Sequence, residues 1–248
     1  MRPAISFLIP AYNEEGHLRT TVVETLRVLE SQTDNFEIII IDDGSIDQTG
    51  AIAEELAKDN PRIKAVHNGE NKGFGLTCRK GIEGASKEYI GWVSADTSWP
   101  EEALKEAIGL LGKADIITTY LLNNYQRPFI RRTISTLFTA VMNTVFLLNL
   151  RYYNGGCFHK AALIKPLCIK SRGLTFWAEA LVRLMKKGYS VSQVGLYNKD
   201  RKSGQSKAFK IKNIMGTLEM ILILIRDIYF IRPQDRKRLS STGAAKNS

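Results

Sequence analysis

Apolar and polar residues keep two different periods along the first half of the chain. Short runs rich in β-branched and aromatic residues, at Ile5 to Ile9, Phe36 to Ile41, Ile63 to His67, Tyr89 to Val93 and Asp115 to Thr119, read as strands, Phe36 to Ile41 as a buried one. Between them the period lengthens to that of helices: Glu14 to Glu30, Asp47 to Lys58, Gly73 to Ala85, and a helix opened by Pro100 that runs to about Leu111. The order βαβαβαβαβ predicts an α/β fold with a mainly parallel, doubly wound sheet flanked by helices. Ligands of such sheets collect at the carboxyl ends of the strands, so chemistry is to be sought there.

The second half has another texture. Residues 133–150 are 18 uncharged positions bracketed by Arg131, Arg132 and Arg151, near the lower limit for a membrane span. Seven of the 18 are Ser, Thr or Asn, which predicts an amphipathic helix or helix pair in the headgroup layer instead of a spanning one. An ordinary core helix is the alternative. A second apolar run, Met220 to Ile225, is too short to span and precedes the basic Arg236-Lys237-Arg238. This reading gives one domain over residues 1–231, with interface helices at about 127–150 and 207–231, and a basic, disordered tail over 232–248.

Charge sharpens that division. Residues 1–125 hold 12 basic against 20 acidic side chains, whereas residues 126–248 hold 23 against 5, so the net +10 sits entirely in the second half. Such asymmetry suggests a polyanionic partner. The basic residues alternate with aliphatic runs and lack exposed stacking aromatics or a recognition-helix module, which favours an anionic membrane surface over nucleic acid. Cys78, Cys157 and Cys168 are far apart and form no C-x-x-C pair, fitting neither a disulfide framework nor a zinc site. Residues 1–20 contain no apolar stretch of signal-peptide type. The expected location is therefore the cytosolic face of a membrane, peripheral or monotopic.

Three strand ends carry the candidate chemistry. Asp42-Asp43-Gly44-Ser45 follows the second strand and places two carboxylates, a flexible glycine and a hydroxyl where a nucleobase or ribose could be held, although the same four residues make good turn chemistry. Pro10-Ala11-Tyr12-Asn13-Glu14 ends the first strand, and Tyr12 is either a base-flanking ring or a buried structural one. Ser94-Ala95-Asp96 ends the fourth strand. Asp96 could anchor Mg2+ or Mn2+ against a diphosphate, since such ions accept one or two carboxylates plus phosphate oxygens and water; a helix cap ahead of Pro100 is the plainer role.

Together these segments resemble the family 2 glycosyltransferases of the GT-A fold, specifically the dolichyl-phosphate mannosyltransferase-like branch that acts on polyprenyl phosphates. FLIPAYNEEGHL (7–18) is similar to that family's opening strand and helix, IIIIDDGSIDQT (38–49) to its second strand, NKGFGLTCRKGIEGA (71–85) to its glycine-rich helix entry, and DRKSGQSKAFK (200–210) to its R-x-x-G-x-S-K segment. The resemblance implies a Rossmann-like GT-A domain that takes a sugar from a GDP- or UDP-linked donor. It assigns the nucleotide to Pro10, Tyr12, Glu14, Asp42, Asp43 and Lys72, the base falling to Asp43. Metal and catalytic duty go to Asp96, with Arg201 and Lys207 closing over the diphosphate, and the acceptor phosphate goes to Arg131, Ser135 and Ser206. Arg131 and Ser135 share a helix face at a four-residue interval. The chain departs from the family in three places. Ser94 stands where the D-x-D motif has its first acid, the basic residue expected after the fifth strand falls near Tyr120, and YYNGGCFHK (152–160) replaces D-x-T-S-G-F-R. Two alternatives stay open: a family 2 enzyme acting on a soluble saccharide hydroxyl, with Glu179 at the start of a helix as general base, and a catalytically dead binding protein that kept the fold.

Overall fold

The computed structural model describes residues 2–96, 99–197 and 211–230. The first half follows the periodicities: β1 (Ile5–Ala11), α1 (Leu18–Gln32), β2 (Phe36–Asp42), α2 (Thr49–Asp59), β3 (Ile63–His67), α3 (Phe74–Gly84), β4 (Tyr89–Trp92), α4 (Glu101–Gly109) and β5 (Ile116–Leu121). The second half adds α5 (Phe129–Phe146), β6 (Cys157–Lys160), the short α6 (Ala161–Ile164), α7 (Phe176–Met185), β7 (Val191–Leu196) and α8 (Ile211–Ile225), the last running into a π-helical turn, Arg226–Phe230. Helix α1 begins four residues later than its polar start suggests. Asn13 there adopts a left-handed conformation (φ 55°) and the chain loops outward before the helix is entered.

The strands form one seven-stranded sheet in the order β3-β2-β1-β4-β6-β5-β7. Every pairing is parallel except those of β6, which runs antiparallel between β4 and β5. The sequence reading contains neither β6 nor β7. The first is four residues long and includes His159 and Lys160, and the second alternates small and polar residues, so neither shows the apolar run of a doubly covered strand. Room for β6 comes from glycine: a Cβ on Gly91 would lie 2.3 Å from the Phe158 ring on the neighbouring strand.

Side-chain alternation divides the core into two layers. Ile5, Phe7 and Ile9 of β1 with Ile38 and Ile40 of β2 pack beneath α1, α2 and α4. Leu8, Ile39 and Ile41 point the other way, into a layer built with α3, α5, α7 and α8, where Trp92 stacks on Trp177 at a centroid distance of 5.3 Å. Helix α5 ends at Leu147, which is left-handed (φ 51°), and no helix among the described residues is long and apolar enough to cross a membrane. Both α5 and α8 bury one side only, leaving Phe129, Ile130, Ile134 and Leu137 of α5 and Met215, Leu218 and Leu222 of α8 exposed.

One buried acid ties the sheet's opposite edge. The Glu37 carboxylate accepts hydrogen bonds from Ser6 Oγ (2.6 Å), Lys64 Nζ (2.6 Å) and the Ser86 backbone N–H (2.6 Å), joining β1, β2, β3 and the approach to β4. Burial alone would raise this carboxyl, but those donors outweigh it and bring it from 4.5 down to about 2. Because it titrates lower in the folded chain than in the unfolded one, its stabilisation is complete above about pH 4.5 and is lost as pH falls towards 2. Glu37→Gln should cost about 2 kcal/mol at neutral pH and flatten the acid limb of a pH series of urea melts.

Candidate functional site

The carboxyl ends of β1, β2 and β4 lie side by side, with Ala11 opposite Asp42 in register and the Ala95 N–H donating to Pro10 O at 3.2 Å. The loops beyond β1 and β2 clasp each other through reciprocal bonds. Asn13 N–H donates to Ser45 Oγ (2.9 Å), Ile46 N–H to Asn13 Oδ1 (3.0 Å) and Glu14 N–H to Thr49 Oγ1 (2.7 Å). This clasp explains the left-handed Asn13: a short polar side chain tolerates that conformation and reaches back to the facing loop. Gly44 (φ 69°) is required as well, since a Cβ there would sit 2.5 Å from the Glu70 carbonyl carbon.

The two adjacent aspartates diverge. Asp42 accepts from the Ser45 N–H (3.0 Å) and meets His67 Nδ1 at 3.1 Å, while His67 Nε2 reaches Glu54 at 2.7 Å. Burial lowers the imidazole's pKa, yet the two carboxylates prevail and raise it, favouring the imidazolium beside Asp42. Asp43 turns to α3 and accepts from Asn68 Nδ2 (2.8 Å), Lys72 N–H (2.9 Å) and Gly73 N–H (2.9 Å). Three of the four acceptor positions of a carboxylate are thereby used, and one remains. Asp43 thus shapes the 68–73 loop as well as facing the strand ends. Lys72 contributes its backbone N–H here, and its ammonium pairs with Glu70. Pro10, Tyr12, Glu14, Asp42, Asp43 and Lys72 are therefore gathered on one edge, with Tyr12 and Glu14 half-buried.

Asp96 follows β4 on the same edge and is half-buried, held in place because Thr21 Oγ1 of α1 donates to Ala95 O at 2.8 Å. Among the described residues no group of three or more His, Cys, Asp or Glu could hold a metal ion. A lone carboxylate with Ser94 nearby fits a Mg2+ or Mn2+ ion that arrives with a diphosphate, whose oxygens and waters complete the coordination; it does not fit an ion caged by protein alone.

The other end of this edge is built from α5 and the segment before β6. Ser135 lines a cavity of about 280 Å3 together with Asn124, Thr139, Asn143 and Arg151. The cation on this cavity is Arg151, which the sequence presents only as the bracket of an apolar run; Arg131, paired with Ser135 by the resemblance, is half-buried on the first turn of α5. Arg151 lies over the Tyr120 ring at 4.5 Å, above the very position where the family's basic residue is missing. Arg201, Ser206 and Lys207 lie outside the described residues.

Glu179 has a different role from that of a general base. It is fully buried near the start of α7, and its carboxylate accepts from Lys170 N–H (3.0 Å), Ser171 N–H (2.7 Å) and Arg183 Nε (2.7 Å). Arg183 also reaches Asp227 (2.8 Å) on the π-helical turn, as does Lys170 Nζ (2.8 Å). Burial would raise the Asp227 carboxyl, but Lys170, Arg183 and Arg226 draw it down to about 2. The 170–172 segment held by this network rests on α3, where Gly75 N–H donates to Arg172 O at 2.9 Å and a Cβ on Gly75 would clash with Arg172 at 2.6 Å.

The Asp43 contacts lead to a direct prediction. Asp43→Asn keeps one acceptor oxygen and turns an amide NH2 towards backbone donors, so it should destabilise the protein by about 1–3 kcal/mol. Hydrogen–deuterium exchange should quicken at the Lys72 and Gly73 amides, with little change at the amides of β1 and β2.

Comparison with known proteins agrees with this geometry. The model of the family described as Glycosyl transferase family 2 matches residues 6–165. EpsH of Bacillus subtilis strain 168, a protein provisionally named a glycosyltransferase, is 41% identical over 128 residues, covering 51% of this chain and 35% of its own length. Glycosyltransferase AglD of Haloferax volcanii is 26% identical over 228 residues, covering 88% of this chain and 36% of its own. The chain thus spans about a third of the length of these two curated relatives. The fold is similar to that of glucosyl-3-phosphoglycerate synthase from Mycobacterium tuberculosis in complex with Mn2+, UDP-glucose and phosphoglyceric acid, with a TM-score of 0.68 at 15% identity over 88% of this chain and 80% of that one. The family match embraces every strand end that carries Pro10, Asp42, Asp43 and Asp96, and the chain belongs to glycosyl transferase family 2.

Proposed function

We propose that this protein moves a sugar from a UDP- or GDP-linked donor to a polyprenyl phosphate at the cytosolic face of a membrane, with inversion at the anomeric carbon. The donor half of the reading is supported by family membership and by the cluster of Asp42, Asp43 and Asp96 at adjoining strand ends. The observation that favours a lipid acceptor is the pair of one-sided helices: α5 and α8 expose Phe129, Ile130, Leu137, Met215 and Leu222, each more than half exposed, beside a strongly basic half-chain. Exposed apolar surface of that extent, flanked by Lys and Arg, suits the interface of an anionic bilayer.

Little general-base power is needed in this scheme, because a phosphate with a second pKa of about 6 is largely deprotonated near neutral pH. The residues act by placement. Asp43 offers its remaining acceptor position to a base N–H and Asp42 borders the nucleotide, while on sequence resemblance Ser135 and Arg131 serve the acceptor phosphate. On sequence resemblance, Arg201, Ser206 and Lys207 serve the donor diphosphate and the acceptor. Asp96 would hold a divalent ion, which would supply charge neutralisation for the departing nucleoside diphosphate. Glucosyl-3-phosphoglycerate synthase, with a similar fold, has been crystallised with UDP and either Mn2+ or Mg2+, which supports that choice of ion. In-line attack by the phosphate oxygen in a single displacement inverts the anomeric centre. Transfer to a saccharide hydroxyl is the weaker reading, since Glu179, the base it calls upon, is committed to backbone and Arg183 donors.

Membranes carrying the protein, supplied with a panel of UDP- and GDP-sugars and polyprenyl phosphate, should yield a labelled lipid whose anomeric configuration by NMR is opposite to the donor's. Asp96→Ala should lower the yield at least 100-fold, by about 3 kcal/mol in transition-state stabilisation; full activity in this variant overturns the metal assignment, and nucleotide binding without turnover in the wild type overturns the enzyme. A separate flotation experiment with vesicles containing anionic lipid should carry the wild type to the top of the gradient, whereas Leu137→Glu combined with Leu218→Glu should leave it at the bottom.

A further inference from the structure

We propose that Arg151 is a further cation that recognises the acceptor phosphate, beside the Arg131 assigned by resemblance, and that the cavity between α5 and the segment before β6 seats that phosphate. This rests on the polyprenyl-phosphate reading above and names the residue that makes it possible in a chain with tyrosine at position 120.

The cavity is lined mainly by hydroxyls, amides and the Arg151 guanidinium, groups suited to an oxyanion. Arg151 stands at its mouth with its guanidinium over Tyr120 (4.5 Å) and hydrogen-bonded to the Tyr120 hydroxyl, and among the described residues it forms no ion pair. Arginine carries five N–H donors in a rigid plane, so a ring beneath it and one phenol contact orient the fork and still leave donors for a phosphate. The backbone that presents it is fixed: Arg151 N–H donates to Gln193 Oε1 (2.8 Å), and Asn143 of α5 clasps Leu150 through both its amide groups (2.9 and 3.1 Å). Ser135 and Thr139, one turn apart on α5, contribute hydroxyls to the same wall. Asn124 Oδ1 faces this region buried and without a protein hydrogen-bond partner, the condition of a polar group that awaits a ligand.

A second hollow of about 460 Å3 adjoins the first, sharing Asn124, Thr136 and Ala140 with it and adding Arg132, Thr133 and Leu137. Leu137 is exposed on α5, so this hollow borders the apolar residues that an isoprenoid chain would follow into a bilayer, with the Arg132 stem beside it. The position along the sheet suits group transfer. Asp96 follows β4, Tyr120 lies on β5, and β6 separates the two strands, so the metal and acceptor ends are roughly 10 Å apart at ordinary strand spacing. Both lie on the carboxyl edge, because antiparallel β6 starts where its parallel neighbours end.

Farnesyl phosphate, a soluble short-chain probe, and farnesol as its uncharged counterpart test this on the full chain by isothermal titration. Wild type should bind farnesyl phosphate and not farnesol. Arg151→Gln should weaken farnesyl phosphate roughly 10- to 100-fold and raise the KM for polyprenyl phosphate alike, with the Kd for the nucleotide sugar within twofold and the melting temperature unchanged. Arg151→Lys, which keeps the charge and loses the fork, should recover part of the affinity. Equal binding of farnesyl phosphate by wild type and Arg151→Gln, or equal binding of phosphate and alcohol by wild type, overturns the inference. If wild type transfers sugar to polyprenyl phosphate and Arg151→Gln does so with the same acceptor KM, the site is refuted and the proposed function stands. If Arg151-dependent binding is found without transfer, the site stands and the proposed function is refuted.

Discussion

A mainly parallel sheet covered on both faces pairs the backbone of its inner strands with their neighbours and hands the groups at its strand ends to the loops, and this constraint arranges much else in the molecule. β1 pairs with β2 over its whole length and with β4 through Trp92, and the Ala95 to Pro10 bond carries the latter alignment past the strand. Three loops are thereby forced together with Pro10, Asp42 and Asp96 at their roots. The loops then brace one another, Asn13 against Ser45 and Asp43 against the 68–73 turn, so the edge is pre-shaped before any ligand binds.

Insertion of β6 gives that edge a second half. Because it runs antiparallel, its entry segment brings Arg151, Tyr152 and the two glycines Gly155 and Gly156 to the same side as the carboxyl ends of β4 and β5. The glycines are needed for the approach: a Cβ on Gly155 would lie 2.2 Å from the Thr119 carbonyl oxygen, and one on Gly156 would lie 2.4 Å from the Trp99 ring. The Asp96 end and the Arg151 end of this edge follow from one sheet, with a single strand between them.

The buried acids show how α8 is connected to the strand-end loops around Asp43. Asp227 on the turn after α8 shares Arg183 with Glu179, Glu179 holds the 170–171 amides, and Arg172 supports Gly75 next to the loop that Asp43 grips. Every carboxylate in this chain of contacts is paired with cations or N–H donors, as burial requires. The helix that presents an apolar face to the outside is therefore connected to the 68–73 loop by a run of charge-assisted and backbone hydrogen bonds as well as by packing.

Local pattern alone determined much of this. Strands β1, β2 and β4 are written as largely apolar runs because burial on both faces tolerates little else, and the turn chemistry of Asp42-Asp43-Gly44-Ser45 places carboxylates at a strand end whatever the partners are. The one-sided apolar character of α5 is likewise legible from its Ser and Thr content. What only the tertiary structure decided is which distant pieces meet. Periodicity reports that a segment has a buried side and says nothing of what lies against it. Four residues including His159 and Lys160 become a central strand only because Gly91 makes room for Phe158, Asp227 becomes a structural acid only because Lys170 and Arg183 reach it, and Arg151 comes to stand over Tyr120 only because β6 turns the chain back between β4 and β5. Contacts between residues thirty or more positions apart are set by packing and topology, and no local sequence pattern encodes them.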